Sequence, residues 1–183
     1  ELNNAYNFTC PDNAETFEVK GPQTAVESNG KVLWDGKEYT ELVFTPKGIG
    51  TFWLRGVTIG VNFHWERKED QKFGSALKII VEHGKLTAVN VIGVEDYLTS
   101  VISSEMSATA SPELLKAHAV ISRSWLLAQI EKNKEIVASN SEYSACTQTE
   151  DELVKWYDRE DHTNFDVCAD DHCQRYQGLT RAS

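Results

Sequence analysis

Glu105, near the end of a predicted helix, is the residue whose type and position best suit acid catalysis. Val94, Leu98 and Val101 are spaced as one helix face, and Glu105 continues that stripe by one turn. Desolvation and the negative end of the helix dipole both disfavour a carboxylate there, so they favour the protonated acid. Such a carboxyl can protonate a glycosidic oxygen. The alternative is a glutamate on the rim of the helix end, hydrogen-bonded to water.

A second helix is predicted to begin at Pro112 and to end at about residue 132. Ser111 is a favourable N-cap, Pro112 suits the first helical position, and Glu113 suits the positive end of the dipole. The helix is apolar around most of its circumference, which predicts that it is buried.

Two basic residues of the second helix are candidate ligands for a polar substrate. Lys116 and Arg123 lie seven residues apart, so they fall within about 20° of each other around the helix. Both could line one groove beside Glu105 and bind hydroxyl or acetamido groups. Ion pairing, or packing of their stems along the helix, is the alternative. His118, in an otherwise apolar stretch, is predicted to be a hydrogen-bonded core histidine.

Four potential metal ligands lie within twelve residues near the C-terminus: His162, Cys168, His172 and Cys173. Two cysteines and two histidines can supply a tetrahedral zinc site. A Cys168–Cys173 disulfide with exposed histidines is equally compatible with the spacing. The other two cysteines, Cys10 and Cys146, are isolated in the sequence.

The elements that carry these residues predict an α+β fold. Residues 1–30 are polar and loop-like, whereas short apolar runs between turn residues predict strands over residues 31–92. They include an alternating run at residues 61–65, and His83-Gly84-Lys85 is a predicted hairpin turn. The period then changes to that of helices. The expected order is a strand-rich N-terminal half, a two-helix segment, and a loop region stapled by a metal or a disulfide.

Composition restricts the partners. The 183 residues include 18 Lys or Arg and 28 Asp or Glu, for a net charge of −10. This balance argues against nucleic acid and anionic membranes, which favour basic surfaces, and is compatible with a neutral glycan. No apolar stretch reaches the roughly 20 residues of a transmembrane segment. Because Glu1 is an implausible native start, we expect any export signal to lie outside this chain.

Two long segments resemble one known family. Residues 90–106 (NVIGVEDYLTSVISSEM) and 112–125 (PELLKAHAVISRSW) are similar to the stage II sporulation protein D family, also called the amidase-enhancer family. Its pattern has a Glu-Met pair followed by Pro-Glu-Ala-Leu-Lys-Ala-Gln-Ala-Val. Residues 73–77 and 173–178 resemble the flanking segments.

The resemblance divides the chain. It runs from about residue 57 to 183, so residues 1–56 are expected to form a polar N-terminal segment with short strands. Residues 57–183 are expected to form the family domain. We expect this domain to be truncated, since the family fold continues beyond the Tyr-x-Gly at Tyr176.

What the resemblance implies is lytic transglycosylation of peptidoglycan, between N-acetylmuramic acid and N-acetylglucosamine. The family's catalytic acid falls on Glu105, and we expect Lys116, Arg123 and Tyr176 to bind substrate. A hydrolase usually needs a second carboxylate, whereas here the sugar's own 6-hydroxyl attacks, so one acid can suffice. The family's Gln is His118 in this chain, a departure within the presumed groove.

The resemblance also implies a cofactor and a setting. Some members bind zinc through residues that fall on His162, Cys168, His172 and Cys173, which favours zinc over a disulfide. Expected partners are peptidoglycan glycan strands and a cell-wall amidase, in an extracytoplasmic location. The alternative function is a non-catalytic peptidoglycan-binding enhancer or scaffold that stimulates such an amidase.

Overall fold

The computed structural model describes residues 1–11, 13–60, 64–139, 146–151, 153–155, 162–169 and 173–180. In these ranges the chain is α+β, as predicted, with a strand-rich first half followed by two helices. The elements are β1 (Leu2–Thr9), β2 (Thr16–Gly21), β3 (Ala25–Ser28), β4 (Lys31–Trp34), β5 (Lys37–Tyr39), β6 (Glu41–Pro46), β7 (Thr51–Ile59), β8 (Arg67–Gly74), β9 (Ala76–Glu82), β10 (Lys85–Val91), α1 (Val94–Glu105), α2 (Pro112–Ser139), β11 (Cys146–Gln148) and β12 (Leu153–Lys155).

Seven of the described strands form one antiparallel sheet. Its order is β10-β9-β6-β1-β7-β8, and β2 pairs with β1. Strands β3, β4 and β5 form a separate antiparallel meander, and β11 pairs with β12. The predicted turn at residues 83–85 joins β9 to β10, which pair from Glu82↔Lys85 onward. Part of the predicted run at residues 61–65 lies outside the described residues.

The prediction that residues 1–30 are loop-like is wrong. Strand β1 pairs with β2, β6 and β7, so it lies inside the sheet rather than outside it. Tyr6 and Phe8 are buried, Asn7 is half-buried and Thr9 is exposed, so the alternation expected of a half-buried strand is present in the second half of β1. The register shifts between Leu2 and Tyr6, and the exposed Asn4 lies in that irregular part. Polar side chains between the buried positions hide the alternation in the sequence.

Aromatic side chains fill the core beside β1. The Phe8 ring lies 4.8 Å from Trp34, 5.3 Å from Tyr39 and 5.7 Å from Phe44, between centroids. Trp34 and Phe44 are also edge to face, at 5.3 Å. Such pairs add roughly 0.5–1.5 kcal/mol each beyond the burial of their area. This cluster attaches the β3-β4-β5 meander to the main sheet.

The family segment at residues 73–77 is fixed by side chains from two other strands. Asn90 donates to the carbonyl oxygens of Gly74 and Ala76, at 2.7 and 2.9 Å. The Tyr6 hydroxyl donates to the carbonyl of Ser75, at 3.0 Å. Asn90 thus connects two segments that resemble the family, residues 90–106 and residues 73–77.

Helix α2 begins as predicted but is less buried than predicted. The Ser111 hydroxyl accepts the backbone N–H of Leu114 at 3.2 Å, which is an N-cap. The helix continues to Ser139, seven residues beyond the predicted end. Ser122 and Leu126 are buried. The expectation of burial all round is wrong, because four large apolar residues are exposed: Leu114, Val120, Ile121 and Leu127.

The chain divides into two compact units, Glu1–Ser100 with Gln177–Ser183, and Val101–Tyr176. The predicted division between residues 56 and 57 falls inside β7, and it stays a prediction. In the part of the chain that the structure describes, no helix combines the length and apolar character needed to cross a membrane.

Gly178 makes a close backbone approach within the first unit. Its φ is +58°, and a Cβ there would lie 2.4 Å from the Lys72 carbonyl oxygen and 2.5 Å from the Phe73 ring. The contact is held on both sides of Lys72. Leu179 N–H donates to its carbonyl at 2.7 Å, and its own N–H donates to Thr180 Oγ1 at 2.9 Å.

We expect Gly178→Ala to destabilise the protein more than Gly84→Ala. Both glycines have positive φ, but the space around Gly84 is open. The left-handed backbone alone costs about 1–2 kcal/mol, and the clash at Gly178 adds roughly 1–3 kcal/mol. Denaturant unfolding measures both losses. Equal losses for the two variants would contradict the close approach.

Candidate active site and metal centre

Glu105 is the last residue of α1, as predicted, and its carboxyl has two polar partners. Oε1 accepts the backbone N–H of Arg175 at 2.9 Å, and Oε2 lies 2.9 Å from His118 Nε2. The Glu105 side chain is 27% exposed. It is therefore less buried than the apolar stripe suggested. The Arg175 amide donates to this carboxyl, whereas the direction of the bond to His118 depends on the tautomer of its imidazole ring.

A short ordered turn joins the two helices. Met106 N–H still bonds to Ile102 O at 2.9 Å, which continues α1 by one hydrogen bond. Ser107 Oγ then accepts the Thr109 N–H at 3.2 Å, and Ala110 N–H bonds to Ser107 O at 3.0 Å. These local bonds close the turn immediately before the Ser111 cap. These local hydrogen bonds set the end of α1 and the beginning of α2 within a few residues.

His118 is hydrogen-bonded, as predicted, but its partner was not foreseen. Its side chain is 14% exposed and its Nε2 faces Glu105. Nδ1 is buried and has no hydrogen-bond partner among the described groups. The signal that pointed to this position is its place in the family pattern, where a Gln normally stands. Spacing alone gives no reason to pair residues 13 apart on different helices.

The segment 173–176 supplies the other partner of Glu105. Gln174 is buried, and its side-chain amide donates to the carbonyl of Ser122 on α2, at 3.3 Å. Arg175 directs its main-chain N–H to Glu105, and Tyr176 is buried. Sequence reasoning missed both Gln174 and Arg175. Their roles depend on contacts 52 and 70 residues away in the chain.

The expected substrate-binding residues are not gathered at one point. Lys116 is exposed, and its position two residues before His118 places it about 200° away around α2. Arg123 is half-buried and lies about 140° from His118 around the helix. Lys116 therefore does not share the helix face that meets Glu105. Tyr176 is adjacent to Arg175 in the chain. Glycan binding by Lys116, Arg123 and Tyr176 remains a prediction.

Three of the four expected metal ligands come together. The donor atoms of His162, Cys168 and Cys173 all lie within 4.8 Å of one another. Cys168 and Cys173 do not form a disulfide with each other, so that alternative is wrong. Cys10 is a free, buried thiol. The fourth expected ligand, His172, lies outside the described residues, and its role stays a prediction.

The donor set fits a tetrahedral metal. Bonds of about 2.1 Å to nitrogen and 2.3 Å to sulfur place the two atoms roughly 3.6 Å apart across a tetrahedron. Cys173 Sγ and His162 Nε2 are 3.5 Å apart. The His162 ring stacks on Phe165 at 4.6 Å, which restrains its orientation. Asn133 of α2 donates to the carbonyl of Asp166 at 3.1 Å and holds the same loop.

Comparison with known families gives one match. The profile described as stage II sporulation protein, SpoIID, matches residues 82–183, more than half of the chain. The chain belongs to the stage II sporulation protein D family. No curated protein and no solved structure matches it. Membership confirms the resemblance read from the sequence segments and supports a role related to sporulation and the cell wall.

In this member of the family, the buried bond between Gln174 and Ser122 attaches residues 173–176 to α2. We expect Gln174→Met to lower the free energy of unfolding by about 1–2 kcal/mol, since it leaves a buried carbonyl without this donor. Chemical denaturation measures the loss. Wild-type stability in Gln174→Met would contradict an energetic role for the bond.

Proposed function

We propose that the protein is a peptidoglycan lytic transglycosylase that cleaves the bond between N-acetylmuramic acid and N-acetylglucosamine, with Glu105 as general acid and base. The observation that carries the proposal is the carboxyl at the end of α1. It is held by two hydrogen bonds and yet 27% of its side chain remains exposed. A fixed carboxyl that a substrate can reach is the requirement for positioned proton transfer.

The reaction needs one carboxyl in two protonation states. As acid, Glu105 gives its proton to the glycosidic oxygen while the bond from that oxygen to C1 of the muramic acid breaks. As carboxylate, it then takes the proton of the 6-hydroxyl while that oxygen bonds to C1. The ring closes as a 1,6-anhydro sugar and the proton returns to Glu105. Water enters no step.

The hydrogen bonds at Glu105 suit the second half of this cycle. The amide of Arg175 and the imidazole of His118 both lie at carboxylate oxygens, where donors stabilise the charged form left after the first proton transfer. The preorganised amide needs no rearrangement at that moment. Its position depends on Gln174, which attaches the same segment to α2.

The substrate class sets the location and the partner. Peptidoglycan lies outside the cytoplasmic membrane, so the proposal places the protein in an extracytoplasmic compartment. The net charge of −10 is compatible with glycan strands as the main partner.

We propose zinc as a structural clamp in the same unit. His162, Cys168 and Cys173 supply three ligands, and His172 is the expected fourth. A four-ligand site is closed and structural rather than catalytic. Bound zinc would tie residues 162–173 together immediately before Gln174 and Arg175. The clamp would then support the segment that donates to Glu105.

A second candidate function is the non-catalytic enhancer of a cell-wall amidase. The observation that favours it is the exposed apolar surface of α2, because exposed apolar patches commonly bind other proteins. An enhancer needs no proton transfer from Glu105. The two functions therefore differ in their response to a change at this residue.

We expect Glu105→Gln to lower the release of anhydro-muropeptides from purified sacculi by at least about 100-fold, because the amide cannot transfer the proton. Mass spectrometry of the soluble products measures the release. Glu113→Gln, an exposed carboxyl in the first turn of α2, is the matched control and should keep wild-type release.

Equal release by wild type and Glu105→Gln would contradict catalysis by Glu105. Stimulation of a purified amidase by both proteins, without anhydro products from either, would establish the enhancer instead.

We expect one zinc per chain by elemental analysis of protein purified without chelator, and its loss in Cys168→Ser and Cys173→Ser. Cys10→Ala is the matched control and should retain the metal, since Cys10 is outside the cluster. His172→Ala should weaken zinc binding by at least about tenfold. Metal-free wild type, or full occupancy in Cys168→Ser, would contradict the zinc site.

A further inference from the structure

We propose that His118 is a positioning residue for Glu105, and that its ring donates the Nε2 proton to the carboxylate. The inference rests on the proposed function for its kinetic consequences, but the hydrogen bond itself does not depend on turnover. His118 is the position at which this chain departs from the family's Gln. The structure assigns a physical task to that departure.

The geometry of the pair supports donation to one carboxylate oxygen. His118 Nε2 lies 2.9 Å from Glu105 Oε2, while Arg175 N–H already occupies Oε1. The two oxygens thus have one donor each, which restricts rotation of the carboxyl. The His118 side chain is 14% exposed, so surrounding protein also restricts the ring.

Helix α2 holds the ring in place. His118 lies one turn before Ser122, so the two residues share a helix face. Ser122 is buried and its carbonyl accepts the amide of Gln174. The N-cap at Ser111 fixes the beginning of the same helix. His118 therefore stands on a segment that is restrained at both of its ends.

The other ring nitrogen indicates which tautomer is present. Nδ1 is buried and has no hydrogen-bond partner among the described groups. A proton on Nδ1 would leave a buried donor unsatisfied and would turn the lone pair of Nε2 toward a carboxylate oxygen. With the proton on Nε2, Nδ1 is instead a buried acceptor without a partner among the described groups, and Nε2 presents an N–H to Glu105 Oε2.

This assignment predicts that glutamine can replace His118 and that leucine cannot. A glutamine side chain also ends in an N–H donor, and leucine has similar bulk without one. A donor to the carboxylate stabilises the charged form. Around the Glu105 carboxyl, the described groups are His118 from α2 and the main-chain amide of Arg175, whose side chain is half-buried. Removing His118 removes one of these two donors.

The test compares His118→Leu with His118→Gln in the complete protein, by steady-state release of anhydro-muropeptides. We expect His118→Leu to lower kcat about tenfold with KM within about twofold, because the carboxyl loses its orientation after the substrate has bound. His118→Gln should keep kcat within about threefold, because glutamine restores an N–H donor.

A wild-type kcat in His118→Leu would overturn the proposal. So would a His118→Gln variant as impaired as His118→Leu. Thermal unfolding of both variants separates these outcomes from loss of the fold. A merely structural role would change stability without a fall in kcat at constant KM that His118→Gln reverses.

Nitrogen NMR of the imidazole tests the hydrogen bond without turnover. We expect the neutral His118 ring to carry its proton on Nε2, and Glu105→Ala to remove the hydrogen-bonded shift of that proton. A proton on Nδ1, or an unchanged spectrum in Glu105→Ala, would overturn the proposal. If wild type releases no anhydro products, the proposed function fails, and the NMR result still decides the role of His118.

Discussion

The proposed chemistry depends on two hydrogen bonds that are both made to the carboxyl group of Glu105. Glu105 receives a main-chain N–H from Arg175 and an imidazole nitrogen from His118, each at 2.9 Å. A glutamate side chain has three rotatable bonds, so a carboxyl with no partner would be mobile at the end of a helix. The two contacts convert it into a group with a defined position. They also make its chemistry depend on residues 13 and 70 positions away.

His118 and the Arg175 amide are held in place by different contacts within the second unit. His118 lies on a helix with an N-cap at Ser111, and the Arg175 amide lies in a segment that Gln174 attaches to α2. The His/Cys cluster ends at Cys173, one residue before Gln174. A zinc ion there would restrict the chain just before the segment that donates to Glu105. On that proposal, removal of the metal would also disturb the position of the Arg175 amide at Glu105.

Local signals predicted the elements well, because helix caps and turns depend on neighbouring residues. Ser111 is the N-cap of α2, α1 ends at Glu105, and the turn at residues 83–85 joins β9 to β10. Cys168 and Cys173 do not form a disulfide, and zinc at this cluster stays a prediction.

Long-range features were not predictable in the same way. Strand β1 was missed because asparagines interrupt its apolar alternation, and its pairing with β6 and β7 is what identifies it. The apolar character of α2 predicted burial, but composition does not say which faces a neighbour covers, and Ile121 is exposed. The convergence of His118 and Arg175 on Glu105 requires tertiary structure, because no spacing rule links them.

In the proposed reaction, the 6-hydroxyl of the sugar, rather than water, forms the new bond to C1 as the departing chain leaves. Digestion of purified peptidoglycan in water enriched in heavy oxygen tests it directly, by mass spectrometry of the released muropeptides. The proposed reaction should give 1,6-anhydro ends that carry no heavy oxygen. Reducing ends that have incorporated the label would show hydrolysis and would contradict the proposed mechanism.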